Sequence, residues 1–594
     1  MNSDNYEFSK SSAPQSVGDD TAYSNKQWNY INDINSGVYQ NNGLSLVKWD
    51  LTSIYNGGSF TDVSDLYMVV PIVTVATASN GAALVAPPTQ AYSLCALKSN
   101  YQHLIHQVKI VANGKEVNDM QPFISVFKNF KLLSELSATD LKSTTLSLGL
   151  STVLDNEKSV KWTVGSGTTA GATGQPGIGL CNNLPFAISG AAVGPVAVQN
   201  NNQSNDAIYI RVSRTLDTTN GSYNNLTGAA FTSATAAGTT LALQTAANLA
   251  NEFRPTFNVT NNVMTWTDYG IIPLKYFCDV IDKMGLVKKC DLLIRAYFNT
   301  GAVQVAVTNP TLATSSYGQI TTSFSQTCPI TVNYLPGAGQ YTAATSLITA
   351  GLNIGSAPSS FGAGTSITIS GAASATQNPM KACRMYYSQV ALSPQKALQY
   401  VEANTAKQVV FENLLFNQYS TITAGSTFSQ LVQSGIKNPI GIAIIPLISP
   451  VNICGYGQTP TIGFAQYASP FDTFPATYSP LSLTNLQVTL GGVNVLNSSY
   501  FYTYENFLQQ VQLAESLTSA DIGISVGLIN QNWWEQIGRV YWVDLARGTE
   551  ADKATTRNLN ISFTNNNNVV IDCMVFTVYL DRIVLNVENG MVKK

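Results

Sequence analysis

His103 and His106 are the only histidines in 594 residues, and they stand three apart in the stretch YQHLIHQ. Two imidazoles at that spacing on a helix could share a metal ion. This segment instead runs into the strand-like Val108-Lys109-Ile110-Val111 and brings no Asp, Glu or Cys close by as a third ligand. Both histidines therefore read as structural or interfacial residues. A Ser-His-Asp or Cys-His machine would have to be built on one of these two rings, and no nucleophile elbow is visible to support one. The run GSGTTAGATGQPGIG from Gly165 to Gly179 invites comparison with a phosphate cradle, but it lacks the GK[ST] ending and does not join a strand to a helix. It reads as a surface loop. Glycoside hydrolysis needs only two carboxylates, yet Asp and Glu together number 34 and no pair stands out.

Trp533-Trp534, followed by Tyr541 and Trp542, is the strongest aromatic signal. It suits a ligand platform or an anchor between subunits, and it suits core packing better. Cys95, Cys181, Cys278, Cys290, Cys328, Cys383, Cys454 and Cys573 contain no CxxC pair, so in a reducing compartment they should be free thiols in apolar surroundings. No catalytic, cofactor-binding or metal-binding residue is assigned, no cofactor is expected, and the chain is not read as an enzyme.

The elements around these residues are mostly short β-branched and aromatic runs broken by Gly, Asn, Pro and Ser, an all-β signature. A helical pattern is clearest from Ser393-Pro394 to Leu415, with Leu398, Val401, Val409 and Leu414 among polar residues, room for one or two helices.

Sliding the chain on itself reveals a long-period repeat. QVKIVANGKEVNDMQPFISVFKNFKLLSELSATDL from Gln107 matches QVTLGGVNVLNSSYFYTYENFLQQVQLAESLTSADI from Gln487. Each copy has a strand, a glycine turn, Asn118 or Asn497, an aromatic-x-Asn-Phe unit ending at Phe130 or Phe507, Glu135 or Glu515, and Asp140 or Asp521. The apolar spacing after the turn predicts a short amphipathic helix lying across a sheet. Upstream, LYMVVPIVTVA around Pro71 matches IAIIPLISPV around Pro446, and the proline predicts an edge strand or a bulge. Downstream, the segments beginning at Tyr269 and Gly538 correspond more weakly. The expected organisation is a flexible tail over residues 1–45, a first β domain over 46–392, and a linker helix with a second β domain over 393–594. The first copy is longer, mainly by Val153–Asn251 and Leu335–Ala375, which should be surface loops protruding at one end of the sheets.

Only 11% of residues are charged, against about a quarter in an ordinary soluble protein. Uncharged polar groups are cheaper than charges to cover when surfaces pack together, so the composition leans toward assembly. A net charge of −3 gives no reason to expect nucleic acid as a partner. Up to Gly43 the tail carries Asp4, Glu7, Asp19, Asp20 and Asp33 against Lys10 and Lys26, so it is no basic arm, and it is expected to order against a neighbour. The start Met1-Asn2-Ser3-Asp4 lacks a secretory pattern and predicts retention in the cell that makes it.

Together the tandem repeat, its proline-bearing strand, the glycine turn before a short helix and the large first-copy loops resemble the double jelly-roll major capsid proteins, closest to the virophage branch of the Sputnik type. The resemblance implies two eight-stranded jelly rolls, a homotrimer of hexagonal outline, and a shell subunit of an icosahedral virion made in the host cytoplasm. It also implies neighbouring capsomers, penton and minor capsid proteins and an internal membrane as partners. The Val153–Asn251 insertion would form outward-facing towers. A carbohydrate-binding β-sandwich adhesin and a glycan-degrading viral enzyme are the competing readings.

Overall fold

The computed structural model describes residues 23–37, 39, 43–52, 59–79, 94–97, 100–119, 121–137, 139–140, 163–165, 173–176, 256–260, 263–289, 291–308, 318–323, 329–333, 345–355, 360–361, 367–368, 380–448, 481–497, 501–513, 526–536, 538–546, 555–567, 570–590 and 592–593. In chain order the strands are β1 (Tyr23–Asn32), β2 (Leu44–Asp50), β3 (Phe60–Ser79), β4 (Leu94–Leu97), β5 (Ile105–Ala112), β6 (Lys115–Asp119), β7 (Thr163–Gly165), β8 (Thr173–Pro176), β9 (Thr256–Thr260), β10 (Val263–Pro273), β11 (Leu286–Val287), β12 (Leu292–Asn299), β13 (Gly301–Thr308) and β14 (Gly318–Ser323). They continue as β15 (Ile330–Asn333), β16 (Thr345–Ile354), β17 (Ser360–Phe361), β18 (Ile367–Thr368), β19 (Arg384–Leu392), β20 (Lys407–Ile422), β21 (Thr427–Ile436), β22 (Pro439–Ile448), β23 (Leu483–Leu490), β24 (Val493–Asn497), β25 (Tyr541–Asp544), β26 (Arg557–Asn565), β27 (Ile571–Leu585) and β28 (Val592–Lys593). Among the described residues five α-helices join them: α1 (Ile124–Glu135), α2 (Asp279–Met284), α3 (Pro394–Ala403), α4 (Tyr504–Leu513) and α5 (Gln531–Gln536).

The last third of the chain shows the topology most simply. One sheet runs β20-β27-β22-β25 and the other β21-β26-β23-β24. Lettered B to I in chain order, these eight strands give B-I-D-G and C-H-E-F, the two facing sheets of a jelly roll. The first half repeats the pattern: β1-β19-β3 with β11 beside β3 makes B-I-D-G, and β2-β12-β5-β6 makes C-H-E-F. Alternation along each strand explains the layering, since Val47, Trp49, Ile294, Ala296, Val108 and Ile110 turn inward and are buried. The buried cores of the two sandwiches are continuous with each other.

Several expectations change in the structure. Residues 23–32 belong to no tail: they are strand B, paired with β19 from Tyr23↔Leu392 to Asn32↔Arg384, with the Asn29 amide donating to Gln389 at 2.9 Å. Residues before 23 lie outside those described. Pro71 is not on an edge strand, because β3 is paired on both flanks. Its carbonyl accepts from Gly355 N at 3.0 Å, so its nitrogen faces the same side, where β19 ends opposite Val69 and β16 begins opposite Ile72. A residue without an N–H fits that gap between partners. Pro446 pairs with Cys573 and lies two residues past Ile444, the last partner of β25.

The extra length of the first copy is not all loop. β10 and β16 flank β3, β13 pairs β16, and β14 pairs β13, so the insertions extend one sheet past Tyr67 at one end. Apart from β7 and β8, Val153–Asn251 lies outside the described residues. Helix α3 starts where Ser393-Pro394 predicts, but the chain from Lys407 is strand β20, because Val409 and Phe411 alternate inward.

Candidate assembly surfaces

The two sandwiches meet through α1. Its sequence predicts an amphipathic helix on one sheet, yet Ser125, Lys128, Asn129 and Ser134 are buried along with Phe127 and Phe130. The reason is that α1 is wedged between sandwiches. On the outer face of the second B-I-D-G sheet, Phe416, Phe576, Ala443 and Trp542 stand opposite one another across four strands. Phe127 packs 5.7 Å from Phe576 and 6.3 Å from Trp542, and Phe123 at the helix entry packs 5.2 Å from Phe416. Trp542 lies over Gly441, where a Cβ would fall inside the indole. Glycine is required there for close approach.

Polar contacts fix this joint. Lys131 Nζ reaches Glu412 at 2.6 Å and Glu135 at 3.8 Å. Burial, with Lys131 beside it, pulls the Lys128 ammonium below its ordinary value. Glu412 N donates to Asp279 at 2.9 Å, Tyr400 Oη to the Leu286 carbonyl at 3.1 Å, and Lys407 Nζ to the Met284 carbonyl at 3.0 Å. Leu528 N donates to the Leu133 carbonyl at 2.8 Å, which draws the loop before α5 onto the end of α1.

Among the described residues, no such helix lies on the matching face of the first sandwich. Across β1, β19 and β3, Tyr30 stands opposite Tyr386, and Tyr386 opposite Tyr67. Tyr67 and Tyr386 stack at 4.9 Å, Tyr30 lies 5.4 Å from Tyr386, and Trp28 lies 5.7 Å from Tyr67. Arg384 sits over Tyr30 at 4.6 Å, and Lys26 bridges Asp65 at 2.8 Å. Trp28 and Tyr30 remain 51% and 49% exposed. The opposite sheet of this sandwich presents a different surface, in which Lys48, Arg295 and Lys109 stand side by side on three strands, with Glu116 on Lys109 at 2.6 Å.

No protein-family model matches the sequence, and no curated protein does. Solved structures do match. A chain of the Sputnik virophage, determined by cryo-EM at 3.5 Å resolution, aligns over 98% of this chain and 90% of that one with a TM-score of 0.50 at 11% identity. The mavirus major capsid protein aligns over 98% and 91% with a TM-score of 0.41 at 10% identity, and a chain of the PBCV-1 capsid over 98% and 98% with 0.37 at 10%. The chain is a double jelly roll.

The double jelly roll places the sequence candidates as follows. His103 lies in a 3-10 turn and His106 at the start of β5, both buried. The His103 carbonyl accepts from Asn299 at 2.8 Å, and the His106 ring meets Phe123 edge-on at 4.8 Å. Burial pushes His106 down to about 4, against a smaller pull from Asn299. Among the described residues no group of three or more His, Cys, Asp and Glu is placed to hold a metal ion. Trp533, Trp534, Tyr541 and Trp542 are buried: Trp534 Nε1 donates to the Val540 carbonyl at 3.0 Å and Tyr541 Oη to Leu481 at 2.9 Å. They are core, and Trp542 also faces the joint. Cys278, Cys383 and Cys573 are buried free thiols, and burial raises Cys278 to about 12, away from reactivity. No helix among the described residues is long and apolar enough to cross a membrane. The Gly165–Gly179 run lies outside the described residues except where it meets β7 and β8.

The exposed aromatic row and the α1 joint were both missed in the sequence. The alternation Lys26, Trp28, Tyr30 was the available signal for the row. The joint has none, because its parts come from segments more than 110 residues apart.

Proposed function

We propose that this chain is the major capsid protein of a small icosahedral virus of the virophage type, a structural subunit without catalytic activity. The observation that carries the reading is the tandem B-I-D-G and C-H-E-F topology, supported by the alignment of 98% of the chain with the Sputnik virophage chain. The subunit self-associates as a homotrimer of hexagonal outline, in which six similar sandwiches surround one axis, and a closed heterologous ring avoids an open fibre. Residues 23–392 form the first jelly roll, and 393–594 the linker helix and second. Trimers then meet neighbouring capsomers, penton and minor capsid proteins and an internal membrane. Synthesis takes place in the host cytoplasm, and direct nucleic-acid binding is not part of the role.

The low charge content and the buried joint support this reading, because a shell subunit must bury several faces without stranding charges. The exposed Trp28–Tyr30 row gives the adhesin reading its one specific support, since aromatic faces also suit sugars. Sedimentation of the purified protein with negative-stain images separates the two. A stable trimer of hexagonal outline is expected, whereas a monomer at high concentration that binds glycans would replace the capsid reading with the adhesin.

A further inference from the structure

The α1 joint is one interface made inside the chain, and the duplicated topology supplies the parts for a second. In the first, the plug is α1 with Phe123 at its entry, and the receptor is the Phe416–Phe576–Ala443–Trp542 row on the outer B-I-D-G face of the second sandwich. The repeat gives the second sandwich its own plug, α4, with Phe501 near its entry and 56% exposed. The shared B-I-D-G topology gives the first sandwich the corresponding outer face, which carries the Tyr30–Tyr386–Tyr67 row. Within one chain the second plug belongs to one sandwich and the second receptor to the other.

We infer that the Trp28, Tyr30, Tyr67 and Tyr386 face receives the α4 end of the second sandwich of another copy of this chain, repeating between chains the contact α1 makes within one. This rests on the capsid reading and names the surface that reading leaves open. The chemistry of the face suits it. Trp, Tyr and Arg dominate the buried centres of protein interfaces, and here they are already ordered by stacking and by Arg384 and Lys26 over the rings. The alternative face of the same sandwich is unsuited to a dry contact, because Lys48 and Arg295 stand side by side there next to the Lys109–Glu116 pair and burying charges is costly. Plug and receptor differ, so the contact is heterologous, and a heterologous contact that closes makes a ring.

Two variants test it. Trp28→Lys with Tyr30→Lys alters half-exposed side chains on an edge strand, where folding tolerates polar residues. It should weaken self-association at least 100-fold in sedimentation equilibrium while leaving the far-ultraviolet spectrum and melting point near wild type. Tyr30→Cys with Phe501→Cys should give covalent oligomers on oxidation of the assembled protein, whereas each single variant should give none, since a heterologous contact needs both residues. An unchanged trimer in the lysine variant overturns the inference and leaves the capsid reading intact, as does a wild-type trimer whose double-cysteine variant fails to cross-link. Cross-linking by either single variant overturns it in favour of a two-fold contact. A wild-type protein that stays monomeric overturns both, and glycan binding lost from such a monomer in the lysine variant assigns the aromatic face to sugars.

Discussion

At the scale of single residues, the joint depends on positions where neither space nor hydration is spare. Gly441→Ala would push a methyl group into the Trp542 ring, and overpacking of this kind costs about 1–3 kcal/mol. Urea denaturation should show that loss. Adding Trp542→Leu should make the pair less destabilised than the sum of the singles, because the clash disappears with the ring. His106 makes a second case. Its folded-state value of about 4 lies below the ordinary 6.5, so the unfolded chain binds the extra proton first. Its contribution is complete above pH 6.5 and is lost as the pH falls from 6.5 toward 4, by about 3 kcal/mol in all. His106→Gln should flatten the fall in denaturation midpoint between pH 7 and pH 4.5 relative to wild type; parallel curves would mean that the imidazole is not buried as described.

Helices and strands carry the next level. Phe127→Ala removes the ring that α1 places between Phe576 and Trp542, and loss of a buried Phe costs about 3–5 kcal/mol. Because the ring joins two sandwiches, calorimetry should show the single melting transition of the wild type broadening or dividing in two. Glu412→Gln leaves Lys131 and the buried Lys128 short of a counter-charge, and breaking such a pair from one side destabilises by about 3 kcal/mol. The Glu412→Leu, Lys131→Met double variant should recover much of that. These elements were unequally legible in the sequence. Helices α1 and α4 follow from the repeat itself, since Phe127, Phe130, Phe507 and Val511 keep helical spacing in both copies. Strand β1 was hidden by its composition: polar residues flank Trp28 and Tyr30, and only pairing with β19, 360 residues away, makes them a strand. β16 was hidden likewise, a Gly- and Ala-containing segment ordered by β3 and β13 on its flanks. The burial of Ser125, Lys128 and Asn129 on α1 could not be read at all, because the amphipathic pattern marks only the apolar face, and what covers the polar side is chain distant in sequence.

For the whole molecule, charge decides how assembly should respond to salt. The receptor face holds aromatic rings with Lys26 paired to Asp65, and the chain as a whole has few charges to place at any contact. A contact of this kind draws its free energy from apolar burial, which salt does not screen. For the proposed trimer, dissociation measured at 0.15 M and 1 M NaCl should therefore give constants within a few-fold of each other, or tighter association at the higher salt. The Lys48–Arg295–Lys109 row carries the opposite expectation. It stands on the other sheet of the same sandwich, where any later contact with an acidic neighbour would weaken as ions screen it. Assembly should thus separate into a salt-indifferent step that closes three chains and a salt-sensitive step beyond it. Trimers that fall apart in 1 M NaCl would place the cationic row, and not the aromatic one, at the first contact between chains.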